Sequence, residues 1–184
     1  QEVDYIPEIA SGLSDMFRYN IDGREIVTLR EELTQTENYM GIQKIRFPER
    51  FFVEILVEEE LMECKVLKFI LQPIVENSYK YGFAEKRKKN ILRIHSYRDE
   101  SNIIIVIEDN GAGIEENKVK KINEALAGER GFETAAGIGI RNVNARIKNY
   151  YGEDCGVHLE SEPGNFTRVY LKIRELPFGE KGEI

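Results

Sequence analysis

A chain of 184 residues, 41% apolar and 32% charged with only 5 prolines, has the composition of an ordinary globular protein. It is long enough to bury roughly 70% of its unfolded surface as one domain, or one domain with an appendage, without a disulfide or metal staple. Its 33 acidic against 26 basic residues leave a net charge of −7, which argues against non-specific nucleic-acid binding or attraction to an anionic membrane surface. The longest aliphatic run, Ile103 to Ile107, falls far short of the ~20 residues that a membrane crossing needs. Cys64 and Cys155 are far apart and form no Cys-x-x-Cys pair, so neither a disulfide framework nor a zinc site is suggested. We therefore expect a soluble piece working in a reducing interior, and Gln1 in place of an initiating Met suggests a cut from something longer.

Along the chain, a short helical pattern runs from Ile9 to Asn20 and breaks at Asp22-Gly23. Thr28-Leu29-Arg30-Glu31 is a capping box that should open a long helix carrying Leu33, Met40 and Ile45 and ending at Phe47-Pro48. Phe51 to Val57 reads as a strand with Val53, Ile55 and Val57 inward. Val66 to Tyr81 reads as a helix that contains Pro73 in its first turn or at a kink. Leu92, Ile94 and Ser96 alternate in a second strand, and a tight turn near Asp99 to Asn102 leads into a central strand, Ile103 to Glu108. Helices follow at Asn117 to Leu126 and Ile140 to Tyr151. Strands at Val157 to Glu160 and Phe166 to Ile173 are joined by Glu162-Pro163-Gly164-Asn165, which suits a type II turn. The sum predicts an α+β two-layer sandwich: a mixed, mostly antiparallel sheet covered on one face by helices, with an N-terminal helical segment. Residues 175 to 184 read as a frayed tail.

Three segments place small or polar residues where a packed core would want bulk. In the first, Glu76-Asn77-Ser78-Tyr79-Lys80-Tyr81-Gly82, Asn77 and Lys80 share one helix face. An amide oxygen beside an ammonium suits a magnesium-bound polyphosphate, since the metal takes oxygen ligands and the lysine neutralises phosphate. In the second, Glu108-Asp109-Asn110-Gly111-Ala112-Gly113-Ile114, an acceptor leaves a buried strand among glycines, fit to read an exocyclic amine while bare backbone admits a flat ring. The third, Gly137-Ile138-Gly139-Ile140-Arg141-Asn142, opens a helix with exposed backbone N–H groups that favour phosphate oxygens. A dinucleotide fingerprint fails here, because Asn142 stands where the third glycine belongs and no strand directly precedes. No Gly-Lys-Ser/Thr tripeptide supplies a Walker loop.

In this order, the three segments resemble the N, G1 and G2 boxes of the Bergerat ATP-binding fold shared by gyrase, Hsp90, MutL and histidine kinases. Leu71-Gln72-Pro73-Ile74-Val75-Glu76-Asn77-Ser78 and the run from Gly137 to Ile147 look like LytS-type sensor histidine kinases. Upstream, residues 13–19, 29–33, 39–43 and Arg46-Phe47 look like the tail of that family's dimerisation and phosphoacceptor region. The resemblance implies a division into 1–47, the end of that helical region, 48–175, the ATP-binding domain, and a tail over 176–184.

It further implies ATP and Mg²⁺ as cofactors, with Asn77 on the metal, Lys80 on phosphate and Tyr81 against adenine or ribose. Asp109 would accept the adenine amine beside Gly111, Gly113 and Ile114; Gly137, Ile138, Gly139 and Ile140 would form the phosphate-side loop; Thr167 would assist Asp109. Residues 115–136 would be a lid. Gyrase-type ATPases carry a water-activating Glu one turn before the Asn, where this chain has Pro73; Glu76 is instead adjacent to Asn77, about 100° round the helix from it, and cannot replace that base with the same geometry. Slow hydrolysis, and at most a secondary catalytic part for Glu76, should follow.

The family's phosphorylated His lies in a Pro-His-Phe setting upstream of these residues, and only His95 and His158 occur here, both in predicted strands. The implied reaction is transfer of the ATP γ-phosphoryl to that upstream His and then to a response-regulator aspartate. The intact protein is expected to be a homodimer anchored in a bacterial membrane, this piece being cytoplasmic and binding no nucleic acid. The competing functions are an ATPase driving a conformational cycle and a nucleotide-free interaction module.

Overall fold

The structure is a computed structural model that describes residues 6–46, 51–83, 89–128 and 138–176. Two helices open it, α1 (Ile6–Ile21) and α2 (Leu29–Arg46), separated by a short strand β1 (Ile26–Thr28). The capping box forms as the sequence predicts: the Glu31 amide donates to Thr28 Oγ1 at 3.1 Å and the Thr28 amide donates back to the Glu31 carboxylate at 2.8 Å.

Next come β2 (Phe51–Leu56), a single helical turn α3 (Glu59–Met62), β3 (Lys65–Leu67) and α4 (Gln72–Asn77), which continues into a wider π-type turn at Ser78–Gly82. The remainder is β4 (Asn90–Asp99), β5 (Asn102–Asp109), α5 (Glu116–Ala127), α6 (Ile138–Tyr151), β6 (Gly156–Glu162) and β7 (Phe166–Arg174).

Five strands form one sheet in the order β2-β4-β5-β7-β6, in which only the β2–β4 pair is parallel. The mixed, mostly antiparallel sheet and its N-terminal helical segment are those read from the sequence. Period-two geometry sends Ile103, Ile105, Ile107 and Asp109 to one face of β5, paired across to Ile173, Leu171, Val169 and Thr167 of β7. That face is covered by helices and forms the core with Leu92, Ile94 and Leu159, each 1% exposed or less. On the opposite face, β5 buries Val106 beneath its neighbours His95 and Tyr170.

Two local readings need correction. The helix expected from Val66 begins only at Gln72: residues 65–67 pair with β1 as a two-stranded antiparallel sheet, and Phe69 takes φ +60 in the turn between. Pro73 falls in the first turn of α4, where a missing N–H costs nothing. Val53 is 38% exposed rather than inward, because β2 is an edge strand with a partner on one side only, while Ile55 and Val57 do pack against the core. The β1–β3 pair, together with a 2.9 Å hydrogen bond from the Leu29 amide to the Cys64 carbonyl, ties the N-terminal segment to the stretch between α3 and α4.

Candidate functional site

At the end of the apolar face, where β5 gives out, a cavity of about 330 Å³ opens between the sheet, α4 with its π turn, α5 and α6. Ile74, Ile114, Ile122, Ile140, Leu159 and Val169 supply apolar walls; Asn77, Ser78, Asp109, Thr167, Glu115 and Lys118 supply the polar groups. Apolar walls with a few fixed polar atoms are the usual make-up of a small-molecule site.

Asp109 is 3% exposed and locked in place. Its Oδ2 accepts from the Ser78 hydroxyl at 2.7 Å and its Oδ1 from the Gly111 amide at 2.9 Å. A carboxylate is acceptor-only, with about four acceptor positions spread over its two oxygens, which suits it to a ligand amine.

The π turn is what delivers Ser78. The Phe83 amide reaches back five residues to the Ser78 carbonyl at 2.9 Å, and this widened turn lays Gly82 against Asp109. A Cβ on Gly82 would come 2.7 Å from Asp109 Oδ1. Behind the turn, Tyr79 packs among Phe51, Phe83 and Tyr39, and burial pushes its phenol up to about 12.

Gly111 and Gly113 turn out to admit backbone. A Cβ on Gly111 would lie 2.2 Å from the Gly82 carbonyl oxygen, and one on Gly113 would lie 2.0 Å from that of Glu162, at a φ of +66. The Ala112 amide donates to the Gly82 carbonyl at 2.8 Å and the Ala112 carbonyl accepts from the Gly164 amide at 2.6 Å, so three loops are bolted together around Asp109. Gly113 also lines the cavity.

Of the residues singled out from sequence, Asn77, Tyr81, Asp109, Gly113, Ile114, Ile140 and Thr167 line the cavity. Thr167 is the cross-strand partner of Asp109, and its hydroxyl lies 3.1 Å from that of Ser161. Lys80 is exposed just outside, its ammonium 5.1 Å over the Tyr81 ring. Glu76 is exposed, accepts from Gln72 Nε2 at 2.8 Å, and does not line the cavity.

Ile138 and Gly139 open α6, and a Cβ on Gly139 would sit 3.7 Å from Asn77 Nδ2. Gly137 and the lid positions 129–136 lie outside the described residues; the rest of the expected lid contains α5. Glu115, Lys118 and Ile122 of the expected lid line the cavity, and so do Ser78, Gly82, Ile74, Leu159 and Val169, to which the sequence reading assigns no ligand role. Sheet parity from Asp109 and Thr167 is the signal that could have found the last two.

Asn77 is the natural point to test for a metal. Its amide nitrogen is buried and has no hydrogen-bond partner among the described residues, so a donor is left for an acceptor such as a phosphate oxygen, while the amide oxygen is the atom that would face a metal. Nor do the described residues contain a cluster of three or more His, Cys, Asp or Glu able to hold an ion. One amide beside a phosphate-bearing ligand fits an ion that takes most of its oxygens from that ligand and from water, as magnesium does.

Residues 64–177 match the family described as histidine kinase-, DNA gyrase B- and HSP90-like ATPase. The chain belongs to this family. Residues 1–51 match the family described as histidine kinase. Sensor protein LytS of Staphylococcus haemolyticus is 32% identical over 151 residues, covering 81% of this chain and 25% of that protein. Sensor protein LytS of Bacillus anthracis is 27% identical over 185 residues, covering 100% of this chain and 31% of that protein.

The chain thus spans about a quarter to a third of these curated relatives. The histidine kinase AdeS of Acinetobacter baumannii shares the fold at a TM-score of 0.59 and 16% identity, over 95% of this chain and 81% of that one. The catalytic domain of the histidine kinase ThkA does so at 0.59 and 12%, over 83% and 97%. Among the described residues no helix is long and apolar enough to cross a membrane.

Proposed function

We propose that this chain is the ATP-binding catalytic part of a sensor histidine kinase, passing the γ-phosphoryl of Mg-ATP to a histidine outside these 184 residues and thence to a response-regulator aspartate. Residues 1–47 would belong to the dimerisation and phosphoacceptor region and 48–175 to the catalytic domain. The intact protein would be a membrane-anchored homodimer with this part in the cytoplasm. The carrying observation is the buried Asp109, fixed by Ser78 and Gly111 at the polar end of an apolar cavity that also holds Asn77.

Asp109 would accept the adenine amine, with Thr167 beside it on β7 and Ile114 and Ile140 against the ring faces. Asn77 would hold Mg²⁺ carried by the phosphates, and Lys80 would neutralise phosphate charge from the rim. Bound magnesium would offset the charge of the transferring group. The protein's own share is then positioning and charge, which is most of what phosphoryl transfer asks of it.

Two features favour transfer to a protein over release to water. One turn before Asn77 stands Pro73 rather than a carboxylate, and Glu76 is directed away from the cavity toward Gln72. The sheet register also sets His95, Val106, Tyr170 and His158 in one cross-strand row on the face opposite Asp109, so neither histidine in this chain faces the site.

Incubation with γ-labelled Mg-ATP tests the reading. The 184-residue chain should gain no acid-labile phosphate and release phosphate slowly, while the intact parent protein labels on histidine. Label on His95 or His158, or steady phosphate turnover by the chain alone, would overturn it in favour of an ATPase.

A further inference from the structure

Glu32 of α2 is fully buried, at 0% exposure, yet it belongs to the N-terminal helical segment rather than to the cavity. Its Oε1 accepts the amides of Ile70 at 2.8 Å and Leu71 at 3.0 Å, and its Oε2 accepts the amide of Phe69 at 3.0 Å and the phenol of Tyr19. These three amides form the turn that leads into α4, whose N-cap position, Leu71, offers no side-chain cap.

The turn is strained, with Phe69 at φ +60, a conformation that persists only where its surroundings over-determine it. Arg146 of α6 grips it from the other side, donating to the Lys68 carbonyl at 2.7 Å. Lys68, itself buried, donates to the Tyr19 carbonyl and the Asp22 carboxylate, a second tie from the N-terminal segment.

We propose that Glu32 is a positioning residue for nucleotide binding: it fixes where α4 begins and so where Asn77 stands, linking the placement of α1 and α2 to the magnesium side of the cavity. This inference rests on the Mg-ATP reading above. Asn77 follows Leu71 by six residues, about 9 Å along a helix, so a shift of the turn is carried to it through one rigid element. Asp109 stands on β5 and keeps the Gly111 amide from its own strand end, while its other brace, Ser78, follows Asn77 on the moving element, so a shift of the turn should fall mainly on Asn77 and in smaller part on Asp109.

The chemistry at position 32 is specific. A carboxylate is acceptor-only and meets four donors here, whereas glutamine would turn an NH₂ toward some of them.

Calorimetric titration of ATP into the 184-residue chain, with and without Mg²⁺, tests this for the wild type, Glu32→Gln and Thr36→Val. Thr36 is an equally buried neighbour whose hydroxyl donates to the Glu32 carbonyl at 2.8 Å, and it serves as a control for general loosening of α2. The gain in affinity from Mg²⁺ should shrink at least fivefold in Glu32→Gln, with any loss of Mg-free affinity smaller than the roughly fivefold expected of Ser78→Ala, and should stay at the wild-type value in Thr36→Val. An unchanged gain in Glu32→Gln, or the same loss in Thr36→Val, overturns the inference. Should Glu32→Gln fail to fold, amide exchange in the wild type decides: by reciprocity of linkage, Mg-ATP should slow exchange at residues 69–71 at least fivefold, and unchanged rates at saturation overturn the inference. No heat with the wild type overturns the nucleotide reading itself.

Discussion

The Ser78 hydroxyl lies 2.7 Å from Asp109 Oδ2, joining side chains 31 residues apart, both of them buried. One comes from a π turn after α4 and the other from the last position of β5, so the contact forms only when helix and sheet have docked. Braced in this way, Asp109 is expected to keep an accepting edge toward the cavity.

Asp109→Asn turns one of the two acceptor oxygens into an NH₂, which then meets a donor, whether Ser78, Gly111 or the ligand amine. Adenine nucleotide affinity should fall by ~1–3 kcal/mol, about 5- to 150-fold in Kd. Ser78→Ala removes one brace and should cost about 1 kcal/mol. Titration calorimetry with Mg-ATP measures both, and an Asp109→Asn chain that binds like the wild type would contradict the assignment.

Asn77→Ala should act through the metal. In the wild type, ATP should bind more tightly with Mg²⁺ than in excess chelator, and the variant should lose most of that difference while keeping its chelator value. Equal losses in both conditions would mean that Asn77 only shapes the cavity.

The glycines divide sharply by what surrounds them. Gly111→Ala would drive a methyl to 2.2 Å from the Gly82 carbonyl oxygen, and Gly113→Ala would meet Glu162 at a positive φ, so each should cost on the order of 1–3 kcal/mol by overpacking. Gly41, inside α2 with open space around it, should gain stability as Ala, by up to about 1 kcal/mol. Urea unfolding midpoints should therefore move in opposite directions.

Much of this architecture is legible in the sequence. The alternation of Leu92, Ile94 and Ser96, the solid run from Ile103 to Ile107, and the Thr28–Glu31 box each obey a local rule, and the structure follows them. The order of the three polar segments points to one pocket, and Asn77, Asp109 and Ile140 do meet there. The features that escape a local reading are set by long-range partners. Val66 and Leu67 fit a helical pattern but are claimed by β1, and the turn after them is held by Glu32 from 37 to 39 residues away. Gly111 and Gly113 are visible as glycines, but the backbone that fills their missing side chains comes from Gly82 and Glu162.

Stability at low pH should report the tie between the N-terminal segment and the α4 turn. The Lys68 ammonium, and after it the Arg24 guanidinium, hold Asp22 at about 2, below the usual 3.8. A carboxylate depressed by folding contributes stability above its unfolded pKa and loses it as pH falls through the folded one, so this contribution should vanish between about pH 4 and about pH 2. Urea midpoints across that window should fall less steeply for Asp22→Asn than for the wild type; parallel curves would show that Asp22 carries no such linkage.

The proposed nucleotide recognition depends on an acceptor that reads an exocyclic amine, and guanine presents a carbonyl where adenine presents that amine. Calorimetric titration of Mg-ATP and Mg-GTP into the 184-residue chain is therefore the most direct test. One-to-one binding of Mg-ATP, at least about tenfold tighter than Mg-GTP, is the predicted result. No heat with millimolar Mg-ATP, or equal affinity for the two nucleotides, would contradict the account.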